Sequence, residues 1–229
     1  MIIYSIVPAR KGSKGIVNKN IMKYKDIPLI AHSIIQSNNS KYINKTFVST
    51  DSEEYLNIAS KYGSIIPILR PENISSDNSN DIDFLKHFLD YLEETNDKCD
   101  LIVQLRPTSP ERKLSDIDSA IEAFINEYDK YDSLRSVIEM DKSAFKTYYI
   151  ADNILMPLVK QCVDINEPYN IGRQQLPQTY IHNGYIDIMK PITIKKYHSI
   201  TGQHILPYVM NNTETIDIDK IEDIHRKCE

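Results

Sequence analysis

Short apolar runs alternate with stretches of helical period through the first 140 residues, and few folds can absorb that rhythm. Residues 2–7 (IIYSIV), 45–50 (KTFVST), 64–69 (SIIPIL), 100–105 (DLIVQL) and 133–140 (SLRSVIEM) read as strands. Four helices fall between them. The first is DIPLIAHSIIQ, with Pro28 placed as a first helical residue, and the second opens on a box Thr50-x-x-Glu53 and closes at Gly63. The third spans 81–94 with Ile82, Leu85, Leu89 and Leu92 at helical spacing; the fourth is capped by Ser115 and turns Ile117, Ile121, Phe124 and Tyr128 inward. Repeated β-α-β units predict an α/β fold, a parallel sheet with helices on both faces. Ligands in such sheets bind where loops leave the carboxyl ends of strands. The loops 8–20, 70–80 and 106–113 therefore surround one crevice.

The first of these loops has the most pointed chemistry. The strand stops at Pro8 and opens into ARKGSKGIVNKN, which holds two of the six glycines of the chain, Gly12 and Gly15. Arg10, Lys11, Lys14 and Lys19 crowd the same stretch. Glycines let backbone N–H groups approach an anion closely, and the cations supply the opposite charge. Strand, glycine-and-lysine loop, then helix is how an α/β protein grips a polyphosphate. The loop matches neither G-x-x-x-x-G-K-[ST] nor G-x-G-x-x-G, and on spacing alone it also fits a solvated basic surface loop.

The 229 residues carry a net charge of −5, with 41% hydrophobic and 26% charged residues. That balance fits a soluble globular chain and excludes a nucleic-acid or anionic-membrane binder, so the basic loop is a local device for a small anion. No apolar run approaches the roughly 20 residues of a membrane span. The 3 cysteines, Cys99, Cys162 and Cys228, are scattered. They suggest no disulfide framework or zinc site and predict a cytoplasmic setting.

The rhythm changes after residue 140. Residues 141–182 contain Pro157, Pro168 and Pro177 and few helix starts, and read as an extended arm or β-ribbon within a single domain 1–229. The apolar side chains of this arm (Phe145, Tyr148, Tyr149, Leu155, Leu158, Tyr169) need a partner surface, either a second subunit or the rest of the same domain. Strand character returns at 184–190 and 205–210, and 220–227 reads as a final helix.

Four other segments offer chemistry. Asp217-Ile218-Asp219 puts two carboxylates on one face if extended, the pattern of a Mg²⁺ site beside phosphates; a solvated turn ahead of a helix is the other reading. LRPTSPER (105–112) offers donors from Arg106, Thr108 and Ser109, and RPENISSDNSND (70–81) could read a base or ribose. Lys146 and Arg173 are candidate anion ligands, and His182 is the one histidine in a promising segment. No Ser-His-Asp or Cys-His arrangement stands out.

Taken in order, these pieces resemble the acylneuraminate cytidylyltransferase family. PARKGSKGIVNKN is similar to the family's phosphate loop, and FVSTD (47–51), Arg70-Pro71 with SSDNS behind it, PTSP (107–110), RQQLPQ (173–178), NG (183–184) and DID (217–219) follow in the family's order. The resemblance spans almost the whole chain. It implies a Rossmann-like domain, a homodimer joined by the arm, and Mg²⁺-dependent transfer of CMP from CTP to a nonulosonic acid with release of pyrophosphate. Carried over by residue, Ala9, Arg10, Gly12, Ser13, Lys14 and Lys19 match the triphosphate loop, with Arg10 and Lys19 in catalytic roles. Asn20 matches a nucleotide contact, and Arg70, Ser76 and Ser79 lie in the cytosine and ribose region. Asp217 and Asp219 match Mg²⁺ ligands; Gln104, Arg106, Lys146, Arg173 and Asp187 lie in segments that face the sugar.

The departures concern the acceptor. LRPTSP stands where the family commonly reads LQPTSP. TYIHNGYID stands where the continuation resembles FRPNGAIY, so Ile181 replaces an arginine and Asp187 a tyrosine. A lost cation and a gained carboxylate disfavour an extra acidic group on the acceptor unless Arg106 compensates. A nucleotidyltransferase acting on a sugar phosphate, a glycosyltransferase and a catalytically idle nucleotide-binding protein are the alternatives.

Overall fold

Seven strands of one sheet build the centre of the computed structural model, which describes residues 1–12, 15–162, 164–211, 216–220 and 222–223. They are β1 (Ile3–Pro8), β2 (Lys45–Thr50), β3 (Ile66–Leu69), β4 (Leu101–Gln104), β5 (Ser133–Glu139), β6 (Tyr180–Met189) and β7 (Ile205–Met210). Their spatial order is β7-β5-β6-β4-β1-β2-β3. β6 runs antiparallel to both of its neighbours, and every other pairing is parallel. The sheet is thus mostly parallel, with its ligand-facing edge at the carboxyl ends of six strands.

The alternation along β1 explains the two layers. Tyr4 and Ile6 pack with Phe47, Phe84, Phe88 and Ile102 on one face, against α3 (Asp81–Glu94) and α5 (Pro191–Tyr197). Ile3 and Val7 turn to the other face, against α1 (Leu29–Asn39), α2 (Glu53–Ala59) and α4 (Leu114–Asn126). Ile117, Ile121 and Phe124 of α4 are fully buried, as their spacing predicts. Burying such a side chain contributes about 1.5–3 kcal/mol.

Helix starts differ in detail from the sequence reading. Pro28 caps α1 from outside, and the helix begins at Leu29. α2 is capped by Ser52, whose side chain accepts the Tyr55 N–H, rather than by Thr50. Thr50 is held in β2 by its pairing with Leu69, so the chain cannot leave the sheet before Ser52. α4 starts at Leu114 behind Lys113, not at a Ser115 cap. α5, opened by Pro191 at its first turn, escaped the sequence reading altogether. The final helix expected over 220–227 falls largely outside the described residues.

Residues 141–182 contain no α-helix among the described residues. Tyr148–Ala151 and Ile154–Pro157 form an antiparallel hairpin whose turn, Asp152-Asn153, has φ of 50° and 60°. That left-handed pair is the geometry Asp and Asn tolerate best after glycine. Tyr148, Tyr149, Ile150, Ile154, Leu155 and Leu158 are all exposed on this ribbon.

Candidate active site

A cleft of about 450 Å³ opens at the carboxyl edge of β1, β3 and β4, lined by the loops that follow these strands and by Asp219 from the segment 216–220. Pro8 ends β1, and the Ala9 N–H is committed to the Ser49 carbonyl at 2.9 Å. The buried Asn20 donates its side-chain N–H to the Arg10 carbonyl at 2.9 Å, which folds the loop back on itself. Asn18 takes the left-handed φ of 56° just before the short turn Lys19–Ile21, and this aims Lys19 into the cleft. Arg10 also lines the cleft and pairs with Asp77 at 2.6 Å. Lys11 points away, its amide on Asp51 and its ammonium on Glu54. Ser13 and Lys14 lie outside the described residues.

The two loop glycines have different reasons. A Cβ on Gly15 would sit 2.8 Å from the Asp219 backbone oxygen, so a side chain there would push the acidic segment away. Among the described residues a Cβ on Gly12 would meet nothing nearer than Arg10 Nη1, at 4.0 Å.

Ile218 anchors the acidic segment. It is fully buried among Ile16, Tyr24 and Leu29, and its N–H donates to the Thr108 carbonyl at 2.8 Å. With Ile218 inward, Asp217 and Asp219 are left on the solvent side. Asp219 Oδ1 accepts from Lys19 Nζ at 2.9 Å. The Asp217 residue is solvent-accessible, yet protein packed about its carboxyl raises its pKa, and the like charge of Asp219 adds to this. Thr108, Lys19 and Arg106 oppose the shift. Two neighbouring carboxylates whose charges resist one another suit a hard divalent cation, although only Asp219 of the pair lines the cleft. No cluster of three or more His, Cys, Asp or Glu that could hold a metal occurs among the described residues. Waters and phosphate oxygens would have to complete the shell, which is how Mg²⁺ is usually held.

Arg70 builds the wall at the end of β3. It is 7% exposed, donates from Nε to Ser49 Oγ at 2.7 Å and from Nη2 to the Ser49 carbonyl at 2.9 Å, and lies over the Phe84 ring at 4.4 Å. Burial pulls its pKa down to about 10, so it stays charged at neutral pH. Ser76 and Ser79 hydrogen-bond each other at 3.1 Å, and Ser79 faces the cleft.

Arg106 forms a third wall of the cleft, and the buried Gln104 and Asp187 lie behind it without lining the cavity. Asp187 stands opposite Gln104 across the β6–β4 pairing, and its carboxylate is reached by His182 at 2.9 Å, Arg106 at 3.0 Å and Arg135 at 3.4 Å. Burial works against its ionisation, but the His182 hydrogen bond and the charges of Arg106 and Arg135 still hold its pKa below the usual carboxylate range. Arg106 and Gln104 both donate to Asp81 as well. Gly184, at φ 64°, makes the bulge in β6 that brings His182 back to Asp187. Lys146 and Arg173 lie together on the arm beside Lys142 and Ser143, and neither lines the cleft that holds Lys19.

Sequence reasoning missed Asp81, Phe84 and Arg112. Asp81 reads as an ordinary acid of a helix first turn, and Phe84 as core. Arg112 is 3% exposed and ties the 105–113 loop down by donating to the carbonyls of Tyr185 and Arg106 and to Gln36. Nothing in a surface-like PTSPER string marks it as buried.

A family model described as cytidylyltransferase matches residues 4–224. The chain is 32% identical over 221 residues to N-acylneuraminate cytidylyltransferase of Escherichia coli, covering 95% of this chain and 49% of that longer protein. It is 30% identical over 220 residues to CMP-N,N'-diacetyllegionaminic acid synthase of Legionella pneumophila, covering 96% of this chain and 91% of that one. Among solved structures, CMP:2-keto-3-deoxy-manno-octonic acid synthetase in complex with CTP matches with a TM-score of 0.69 at 13% identity, over 99% of this chain and 96% of that chain. This last likeness concerns the fold.

Proposed function

The chain belongs to the cytidylyltransferase family, a family of nucleotidyltransferases, and from that premise we propose that it transfers CMP from CTP to the anomeric hydroxyl of a nonulosonic acid, releasing pyrophosphate. The observation that carries this reading is the convergence of Arg10, Lys19, Arg70, Arg106 and Asp219 on one cleft. Relatives whose names specify N-acylneuraminate and diacetyllegionaminate give the acceptor class. The lost arginine at Ile181 and the added Asp187 leave the particular sugar acid to experiment.

The hydroxyl oxygen attacks the α-phosphorus while the bond to pyrophosphate breaks. Both reactants are anionic, so the site must neutralise like charges and align them. Lys19 and Arg10, which line the cleft, take the triphosphate in this reading and stabilise the charge that builds on its oxygens. Arg70, fixed by Ser49 and Phe84, holds the nucleoside side of the cleft. Asp217 and Asp219 fit Mg²⁺, which when bound supplies further charge neutralisation at the phosphates. The chain is read as one nucleotidyltransferase domain whose 141–182 arm joins two copies, and this leaves Lys146 and Arg173 free to serve the acceptor site of a partner copy.

The test is pyrophosphate release from CTP with Mg²⁺ and a panel of 2-keto sugar acids, with other nucleoside triphosphates as controls. Release with at least one sugar acid and CTP is expected. Release only with sugar phosphates, or equally well from every nucleotide, overturns the reading.

A further inference from the structure

Arg106 is held between two carboxylates of very different exposure. Its Nη2 donates to Asp187 Oδ2 at 3.0 Å, and Nη1 and Nη2 both donate to Asp81 Oδ2 at 2.8 Å. The Asp187 side chain is 5% exposed and the Asp81 side chain 37%. Asp187 is also gripped by His182 and Arg135, so it is a permanent counter-ion of the wall. Asp81 stands at the first position of α3 and lines the cleft beside Arg106. An ion pair at the solvent boundary contributes little and exchanges readily, whereas a buried one does not.

The donors on Asp81 form an anion receptor. Gln104 Nε2 adds a third hydrogen bond to the same Oδ2 at 3.1 Å. Gln104 itself is 1% exposed, and its Oε1 has no partner among the described residues. A buried amide oxygen left unpaired calls for an explanation. An acid that carries a hydroxyl next to its carboxylate satisfies the whole group, with the anion on Arg106 and Gln104 Nε2 and the hydroxyl on Gln104 Oε1. Resting on the function proposed above, we propose that Arg106 and Gln104 are the receptor for the acceptor's carboxylate, and that Asp81 occupies this receptor until the acceptor displaces it. Asp187 is then the positioning residue that keeps the guanidinium facing the cleft.

Asp81 thereby lowers the apparent affinity for every acidic acceptor by the fraction of time it holds the receptor. It also sets specificity: a neutral sugar gains nothing from evicting it. The experiment compares KM for the 2-keto sugar acid that the wild-type chain turns over fastest with KM for the methyl ester of the same sugar. Asp81→Asn is expected to lower KM for the acid roughly 2- to 5-fold, the range of an exposed ion pair, and to move KM for the ester and for CTP less. Asp81→Ser, which removes the charge without supplying an amide, is expected to act in the same direction. Arg106→Gln is expected to reduce the preference for acid over ester by at least about 10-fold. An unchanged or raised acid KM in both Asp81 variants, or an acid preference that survives Arg106→Gln, overturns the inference and leaves the cytidylyltransferase reading standing. If the wild-type chain releases pyrophosphate with no sugar acid, that reading falls and takes this one with it.

Discussion

Lys19 Nζ lies 2.9 Å from Asp219 Oδ1, although the two residues stand 200 positions apart. The lysine side chain is 13% exposed and the aspartate 68%, so the cation is the fixed partner and the carboxylate the one nearer water. The first loop of the sheet and the segment 216–220 therefore share one cavity. In the proposed reaction the pair separates its duties, Lys19 to the phosphates and Asp219 to a divalent cation.

Lys19→Ala should lower kcat for pyrophosphate release by about 100-fold or more, the effect of one lost charge-stabilising donor. Steady-state rates with CTP and a turned-over sugar acid measure this. A rate within a few-fold of the wild type removes Lys19 from the chemistry.

Gly15→Ala should raise the half-saturating Mg²⁺ concentration, because its methyl group meets the Asp219 carbonyl at 2.8 Å and must displace the acidic segment. Gly12→Ala is the comparison, since its methyl group only reaches van der Waals contact with Arg10 Nη1 at 4.0 Å and does not touch the acidic segment, so any shift in its Mg²⁺ curve should be the smaller one. Metal titrations of the initial rate compare the two; identical curves for Gly15→Ala and the wild type would sever the loop from the metal site.

Arg70→Lys keeps the charge but loses the Nε hydrogen bond to Ser49 and the flat stacking on Phe84. A lost hydrogen bond to a charged group costs about 1.5–3 kcal/mol, so Tm should drop by several degrees and KM for CTP should rise. A lower Tm with unchanged CTP kinetics would make Arg70 a purely structural residue.

Asp187→Asn tests the sign of a pH effect. The folded-state pKa of Asp187 is depressed, so its contribution to stability is complete above the unfolded value of about 3.9 and is lost as pH falls through the lower folded value. At neutral pH the variant leaves Arg106 and Arg135 less compensated and should melt earlier than the wild type. The gap in Tm should narrow as pH falls below about 4. A gap that stays constant from pH 7 to pH 3 would mean that the charge of Asp187 is irrelevant to folding.

Ile150→Asp with Leu155→Asp addresses the arm. Both side chains are exposed on the hairpin. Sedimentation of the wild-type chain should give twice the monomer mass, and the double variant should shift it to the monomer. A wild-type chain that sediments as a monomer rules out the arm as a subunit joint.

Much of the fold was legible because local chemistry and tertiary demand agreed. KTFVST and ILPYVM became strands with the expected bounds, and α3 runs from Asp81 to Glu94 as its apolar spacing implies. Disagreement arose where tertiary pairing overruled a local signal. Thr50 resembles a cap, but the parallel pairing with Leu69 keeps it in the sheet. β6 begins at Tyr180, four residues before its most strand-like stretch, because β5 offers it a partner.

The sequence alone determined the alternation of strand and helix, the basic glycine loop at the end of β1 and the paired aspartates near the end of the chain, since these depend on residue types within a few positions of one another. Only the tertiary structure decided that Gly15 yields to the Asp219 backbone, that Arg112 is buried under the PTSP loop, and that Arg106 stands between Asp81 and Asp187. These are contacts between strands and loops far apart in sequence, and burial and charge pairing at such distances leave no local pattern to read.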